Sequence, residues 1–141
     1  MEKEEIYNVT AYITRYCEGR RQLLVFKEEG YEHLGFQVPG GTVEQGEGLL
    51  EALRREVREE AGLTELYNIQ YLGEYFYPSK NLEQPVRRYY YRMEAEGPEA
   101  FTHIVQSADE DNGWIYHYSW IDLAEPRPQL YGYLGVYSDQ V

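Results

Sequence analysis

The sequence predicts an α/β fold in which a mixed β-sheet packs against helices. Two observations carry this expectation. Segments that alternate apolar and polar residues lie on both sides of one strongly amphipathic stretch, Gly48 to Ala61. No internal repeat, low-complexity tract or linker interrupts them, and 141 residues with 43% hydrophobic content are enough for one packed core. Residues 1–141 therefore read as a single domain.

Ile6 to Tyr16, IYNVTAYITRY, alternates along its length and forms a long strand. Glu18 to Arg21 turns the chain into Gln22 to Lys27, QLLVFK, a buried strand, and Gly30 centres the next turn. Leu34 to Val38 is expected as a short strand delivering the chain to Pro39, Gly40 and Gly41. The helix follows. Leu49, Leu50, Leu53, Val57 and Ala61 recur at helical spacing, and Gly62 stands where a C-cap glycine stops a helix. Leu66 to Phe76 reads as a strand, Tyr77 to Gln84 as a polar loop, and Pro85 to Ala95 as a further strand. Gly97 to Gly113 is expected to be irregular and acidic. Trp114 to Ile121 alternates as the last strand, and Leu130, Tyr133, Leu134 and Tyr137 are spaced for a C-terminal helix that Gly132 and Gly135 weaken.

The helix carries carboxylates where an ordinary helix would not. At 100° per residue, Glu60 falls about 20° from Leu53, inside the apolar stripe, and Glu56 about 60° away, at its edge. Glu56 and Glu60 are i, i+4 neighbours of like charge, which repel. Glu59 and Glu60 occupy the last turn, the negative end of the helix dipole. A bound divalent cation would relieve all three penalties. The donors are oxygens only, which selects Mg²⁺, with Mn²⁺ as the second choice. Zinc does not fit, because His33, His103 and His117 show no paired spacing and Cys17 stands alone.

Gly41, Glu47, Arg55, Glu56, Val57, Glu59, Glu60, Gly62 and Leu63 fill every fixed position of the pattern G-x5-E-x7-R-E-U-x-E-E-x-G-U, where U is apolar. This resembles the Nudix box. Seven positions demand one residue type, and at roughly 7% usage per residue a chance match anywhere in the chain is below about one in 10⁶. The resemblance, to MutT-like Nudix hydrolases, implies an α/β/α sandwich with the box as a loop-helix-loop. It further implies that Glu56, Glu59, Glu60 and the Gly41 carbonyl surround metal, that Arg55 holds a carboxylate in place with Glu47 as its partner, and that Gly62 ends the helix. The implied reaction is Mg²⁺-dependent cleavage of a pyrophosphate bond in a nucleoside diphosphate linked to another moiety, such as a second nucleotide, a sugar or an ADP-ribose-like group. Glu56, or an acidic residue among Asp109, Glu110 and Asp111 on a distant loop, is the general base or an extra ligand in this reading. The alternative is a Nudix-fold sensor that binds a nucleotide without cleaving it.

Substrate contacts are expected from one face of the strand after the polar loop, with Arg87 and Tyr89 as the first choice, and from Phe36, Tyr75 and Tyr77 as base-stacking rings. Alternation places Arg87, Tyr89 and Tyr91 on one face and Arg88 and Tyr90 on the other. Pro78 lies near a position where some ADP-ribose-cleaving members carry proline, but it does not by itself select a substrate.

The formal net charge of −12 argues against a nucleic-acid polymer as partner, since phosphate backbones select basic surfaces. The single cysteine excludes an intramolecular disulfide. MEKEEIYN does not read as a signal peptide, and no apolar run approaches membrane-spanning length, so a cytoplasmic protein without a membrane partner is expected. A homodimer is left open.

Overall fold

The structure, a computed structural model, describes residues 5–79, 84–124 and 126–141. Seven strands form a mixed sheet: β1 (Ile6–Cys17), β2 (Arg20–Glu28), β3 (Gly40–Thr42), β4 (Tyr67–Pro78), β5 (Pro85–Glu94), β6 (Ala100–Ile104) and β7 (Ile115–Asp122). The order is β4-β5-β1-β2-β7-β6, with β3 added to β1. Only β1 and β5 run parallel; the other pairs are antiparallel. One edge of β1 is shared. Its residues Asn8–Thr10 pair with β3, and Thr14–Cys17 pair with β2. The chain from Gln37 to Thr42 fills the wedge where β1 and β2 part: Gln37 bridges to Phe26, the Ala11 N–H donates to the Pro39 carbonyl, and β3 completes the pairing.

Alternation sorts the strands into two faces. Val9, Ala11 and Ile13 of β1 and Leu24 and Phe26 of β2 point toward α1 (Leu49–Ala61), whose Ala52, Leu53, Val57 and Ala61 close that core. Tyr12, Leu23, Val25 and Tyr90 point to the opposite face, under Leu130, Leu134, Tyr137 and Val141 of the C-terminal segment. The tyrosines act there as apolar bodies with polar tips. The Tyr12 hydroxyl donates to the Leu134 carbonyl, and the Tyr90 hydroxyl donates to the Tyr133 carbonyl at 2.6 Å.

Four differences from the sequence expectation have physical causes. The strand expected at Leu34–Val38 is a 3₁₀ turn at Glu32–Leu34 followed by single bridges at Phe36 and Gln37. The strand proper starts at Gly40, where a Cβ would stand 2.3 Å from the Val9 carbonyl oxygen, so close pairing needs the missing side chain. Within the expected irregular stretch, Ala100–Ile104 forms β6, the sheet's outer strand, whose exposure hides its apolar signal. β4 runs on to Pro78, and residues 80–83 of the expected polar loop lie outside the described residues. Among the described residues, no α-helix covers the far face. Two 3₁₀ helices, Gly132–Gly135 and Ser138–Gln140, do so instead, because Tyr131 is still extended, its N–H donating to the Phe36 carbonyl, and Gly132 has a φ of +55°. Among the described residues, no helix is long and apolar enough to cross a membrane.

Candidate functional site

The helix starts at Gly48, whose N–H donates to the Glu51 carboxylate at 3.2 Å. It stops at Gly62, whose φ of +72° is the left-handed C-cap conformation. Between these ends Leu53, Val57 and Ala61 of the apolar stripe are buried together with Ala52, whereas Leu49 is partly buried and Leu50 half exposed. Glu56 and Glu60 are buried with that stripe, each 5% exposed.

Three devices hold the end of the helix. The Tyr118 hydroxyl donates to the Glu60 carbonyl at 2.9 Å, the Gln106 N–H donates to the Glu59 carbonyl at 3.0 Å, and His103 Nε2 lies 2.9 Å from that same carbonyl. These satisfy carbonyls that a helix end leaves without partners. They also tie β6, β7 and the loop between them to the carboxylate cluster.

Arg55 organises the cluster. Its Nε and Nη2 fork onto the two Glu47 oxygens at 2.7 and 3.0 Å, and Nη2 also donates to the Thr42 carbonyl at 3.0 Å. Its Nη1 donates to Glu56 at 2.9 Å and to both Glu59 oxygens at 3.2 and 3.3 Å. The guanidinium holds the Glu47 carboxyl below the usual carboxylate range. Glu59 is thus turned toward Arg55, while Glu56 and Glu60 meet each other.

The Glu56 carboxyl lies against the backbone of Gly41, where a Cβ would come within 2.4 Å of its carbon. Glu60 accepts the Gly40 N–H at 3.1 Å. Burial pushes the Glu56 carboxyl up to about 7 against the opposing pull of Arg55, and burial followed by the Glu56 charge pushes Glu60 well up.

Two lobes of one cleft meet at this pair, sharing Gly40, Gly41, Glu60 and Tyr116. The larger, about 900 Å³, has Glu44 and Glu56 on one wall and Asp109, Glu110 and Asp111 on the other. The loop from Val105 to Trp114 is held by its own hydrogen bonds: Gly113 N–H to the Val105 carbonyl at 2.8 Å, Ser107 N–H to Asn112 Oδ1 at 3.0 Å, and Ser107 Oγ to Asp111. The smaller lobe, about 540 Å³, is walled by Gln37, Arg88 and Tyr131–Leu134.

The structure therefore brings together Gly41, Glu56, Glu60 and the acidic trio Asp109–Asp111, with Arg55, Glu47 and Glu59 immediately behind. It does not bring Arg87 and Tyr89 to the cleft. They lie on the α1 face of β5, where Arg87 pairs with Glu5 at 2.9 Å and Glu74 at 3.4 Å and Tyr89 packs on the core. Phe36 packs at the edge of the opposite core, under Lys27. Tyr77 is buried one layer behind Tyr133, the rings stacked at 3.8 Å. Arg88, on the other of the two faces that alternation separates, lines the cleft, as do Gln37, Tyr116 and Tyr133, which were not expected there. Alternation along β5 separates Arg87 from Arg88 but cannot say which face carries the cleft.

Among the described residues, no three His, Cys, Asp or Glu side chains close into a ready cage for a metal. The donor set nonetheless fits a hard cation. Two buried carboxyls converge on a glycine backbone that leaves room for them, and Mg²⁺ characteristically uses one or two carboxylates plus water and substrate phosphate.

A family model described as the NUDIX domain matches residues 7–135. Among solved structures, the NUDIX domain of Shewanella oneidensis NrtR, crystallised with ADP-ribose, is similar at a TM-score of 0.68 and 17% identity over 99% of this chain and 88% of that one. A MutT/nudix family protein from Enterococcus faecalis is similar at 0.63 and 18% over 86% of this chain, which spans 45% of that longer protein. The Caenorhabditis elegans Ap4A hydrolase is similar at 0.52 and 21% over 85% and 82%. At these identities the likeness concerns the fold. No curated protein is significantly similar to the chain.

Proposed function

The chain belongs to the NUDIX domain family, and from that premise we propose that it is a divalent-cation-dependent hydrolase that cleaves a pyrophosphate bond in a nucleotide-type substrate. One observation carries the reading: Glu56 and Glu60, buried on an apolar helix face, converge against Gly40 and Gly41 in the wall of an open cleft. Burying a carboxyl pair costs stability unless a proton or a cation compensates it. Such a cost is maintained most readily where the pair has work to do.

Glu56, Glu60 and the Gly41 backbone would hold Mg²⁺ or Mn²⁺, with Glu59 contributing directly or through water. The bound ion would neutralise phosphate charge and acidify a water molecule. The protein's own groups do the rest. Arg55 fixes the Glu56 and Glu59 carboxyls so that neither must reorganise when the substrate arrives. Glu47 fixes Arg55 in turn. A carboxylate takes the proton of the attacking water as its oxygen bonds to phosphorus and the bridging P–O bond breaks. Glu56 and the Asp109–Asp111 wall face the space where that water would sit.

The panel for the test takes ADP-ribose and a dinucleoside polyphosphate from the names of the structural neighbours and adds nucleoside diphosphate sugars and nucleoside di- and triphosphates. Product release is measured with Mg²⁺ and with Mn²⁺. Glu60→Gln and Glu56→Gln are each expected to lower turnover by about 10² to 10⁴ while leaving the folded circular dichroism spectrum in place. Full activity in both variants would remove the reading. Nucleotide binding without any product on long incubation would turn it into the sensor alternative.

A further inference from the structure

The two lobes of the cleft differ in chemistry. The larger is walled by carboxylates. In the smaller, Glu60 is the acid among the lining residues, and Arg88 faces it with a charge that no carboxylate among the described residues neutralises. The Arg88 guanidinium is held entirely by neutral groups: Nε and Nη2 donate to the Tyr77 hydroxyl at 3.2 and 3.0 Å, and Nη1 donates to Thr10 Oγ1 at 2.9 Å. With the Asn8 amide turned so that its nitrogen donates to the Tyr7 carbonyl, its oxygen accepts from Nη2 at 3.1 Å. Nη1 keeps one N–H free. In a chain of net charge −12, an arginine aimed by four neutral contacts and without a counter-ion among the described residues is an anion contact waiting for its ligand.

Beside it stands Tyr133. One face of its ring stacks on Tyr77 at 3.8 Å and 15°, and Tyr75 flanks it at 5.7 Å. The residue is still 41% exposed and lines the lobe. Its position is fixed through its own backbone, whose carbonyl accepts from Tyr90. A rigid aromatic surface with one face already backed suits a planar ring. Across the lobe, Gln37 carries a buried amide nitrogen with no partner, a donor still unused.

We propose that this lobe seats the nucleoside half of the substrate, with the base against Tyr133, Arg88 countering the phosphate next to it, and Gln37 donating to the base or ribose. The other moiety then lies along the acidic lobe. This deepens the reading of a nucleotide substrate given above and rests on it, but not on turnover. Tyr133 and Arg88 are binding residues here, and Tyr77 is a positioning residue that acts through both.

The test is ligand-observed NMR titration of the protein, with Mg²⁺ and with chelator, using the four common nucleoside 5′-monophosphates and ribose 5-phosphate as probes. At least one nucleotide is expected to bind about tenfold or more tightly than ribose 5-phosphate. Tyr133→Ala should collapse that ratio toward one, and Tyr133→Phe should restore it. Arg88→Gln should weaken nucleotide and ribose 5-phosphate together and leave the ratio in place. If Arg88→Gln fails to fold, Tyr133→Ala still decides, because Tyr133 is partly exposed. A ratio near one in the parent protein, or one that Tyr133→Ala leaves intact, overturns the proposal. Should that happen while Mg²⁺-dependent turnover persists and Glu60→Gln abolishes it, the hydrolase reading stands and the seat lies elsewhere. The reverse pattern, a collapsing ratio with no turnover, removes the hydrolase and keeps the seat.

Discussion

Burial disfavours the charged forms of both Glu56 and Glu60. Their folded-state values therefore lie above the ordinary value near 4.5. A group shifted in this direction contributes most below its unfolded value, and the contribution is lost as pH rises through the folded one. For Glu56 that value is about 7. The chelator-treated protein is thus expected to lose thermal stability between about pH 5 and pH 8, by an amount on the order of 3 kcal/mol from this residue. Differential scanning calorimetry across that range checks the slope. Glu60→Gln, which keeps the shape and removes a titrating group, should flatten it. A melting temperature that is level or rises with pH would count against the buried acid pair. Because a cation replaces the proton, stabilisation by added Mg²⁺ should grow over the same interval.

At the scale of the element, α1 is positioned by its ends. The turn out of the helix needs a positive φ at Gly62, and the site leaves little room there: a Cβ would lie 3.0 Å from the His103 ring, which itself sits on the Glu59 carbonyl. Gly62→Ala should cost about 1 kcal/mol for the backbone conformation alone, with a further penalty for displacing His103. Gly19 is the control. Its φ is +77°, but open space surrounds it, so Gly19→Ala carries the conformational cost without the contact. Urea unfolding is expected to rank Gly62→Ala below Gly19→Ala, and Gly62→Ala should also lower turnover by disturbing the last helical turn. Equal losses in both variants would show that His103 simply moves aside. The same element shows how far pattern reading reaches. Helical periodicity alone places Glu60 in the apolar stripe and Glu56 at its rim, and both are buried. It also places Leu50 in that stripe, yet Leu50 is half exposed.

For the molecule as a whole, charge sets the approach of the substrate. A net charge of −12 and a cleft wall of carboxylates repel a pyrophosphate compound, and only local features such as Arg88 and a bound cation oppose that repulsion. Raising ionic strength from about 10 mM to about 150 mM shortens the Debye length from about 30 to about 8 Å. KM should then fall severalfold at a fixed free Mg²⁺ concentration, as steady-state kinetics with added neutral salt would report. A KM that rises with salt would mean that the field of Arg88 and the cation outweighs that of the whole surface.

The amino-acid sequence by itself determined the helix, the place of Glu56 and Glu60 on its apolar side, its glycine stop and the mixed strand pattern, whereas the pairing of Arg55 with Glu47 was implied only by the resemblance to the Nudix box. These depend on neighbours a few residues apart, where periodicity and spacing act directly. Tertiary structure decided which sheet face opens onto the cleft. Arg88 and Tyr133 reach it because β5 lies beside β1 and the C-terminal segment folds back over Tyr12 and Tyr90, a meeting of residues more than 40 positions apart. Two adjacent arginines on one strand have the same local sequence signal, and only the packing of the sheet between its two layers gives one of them a carboxylate and the other an open lobe.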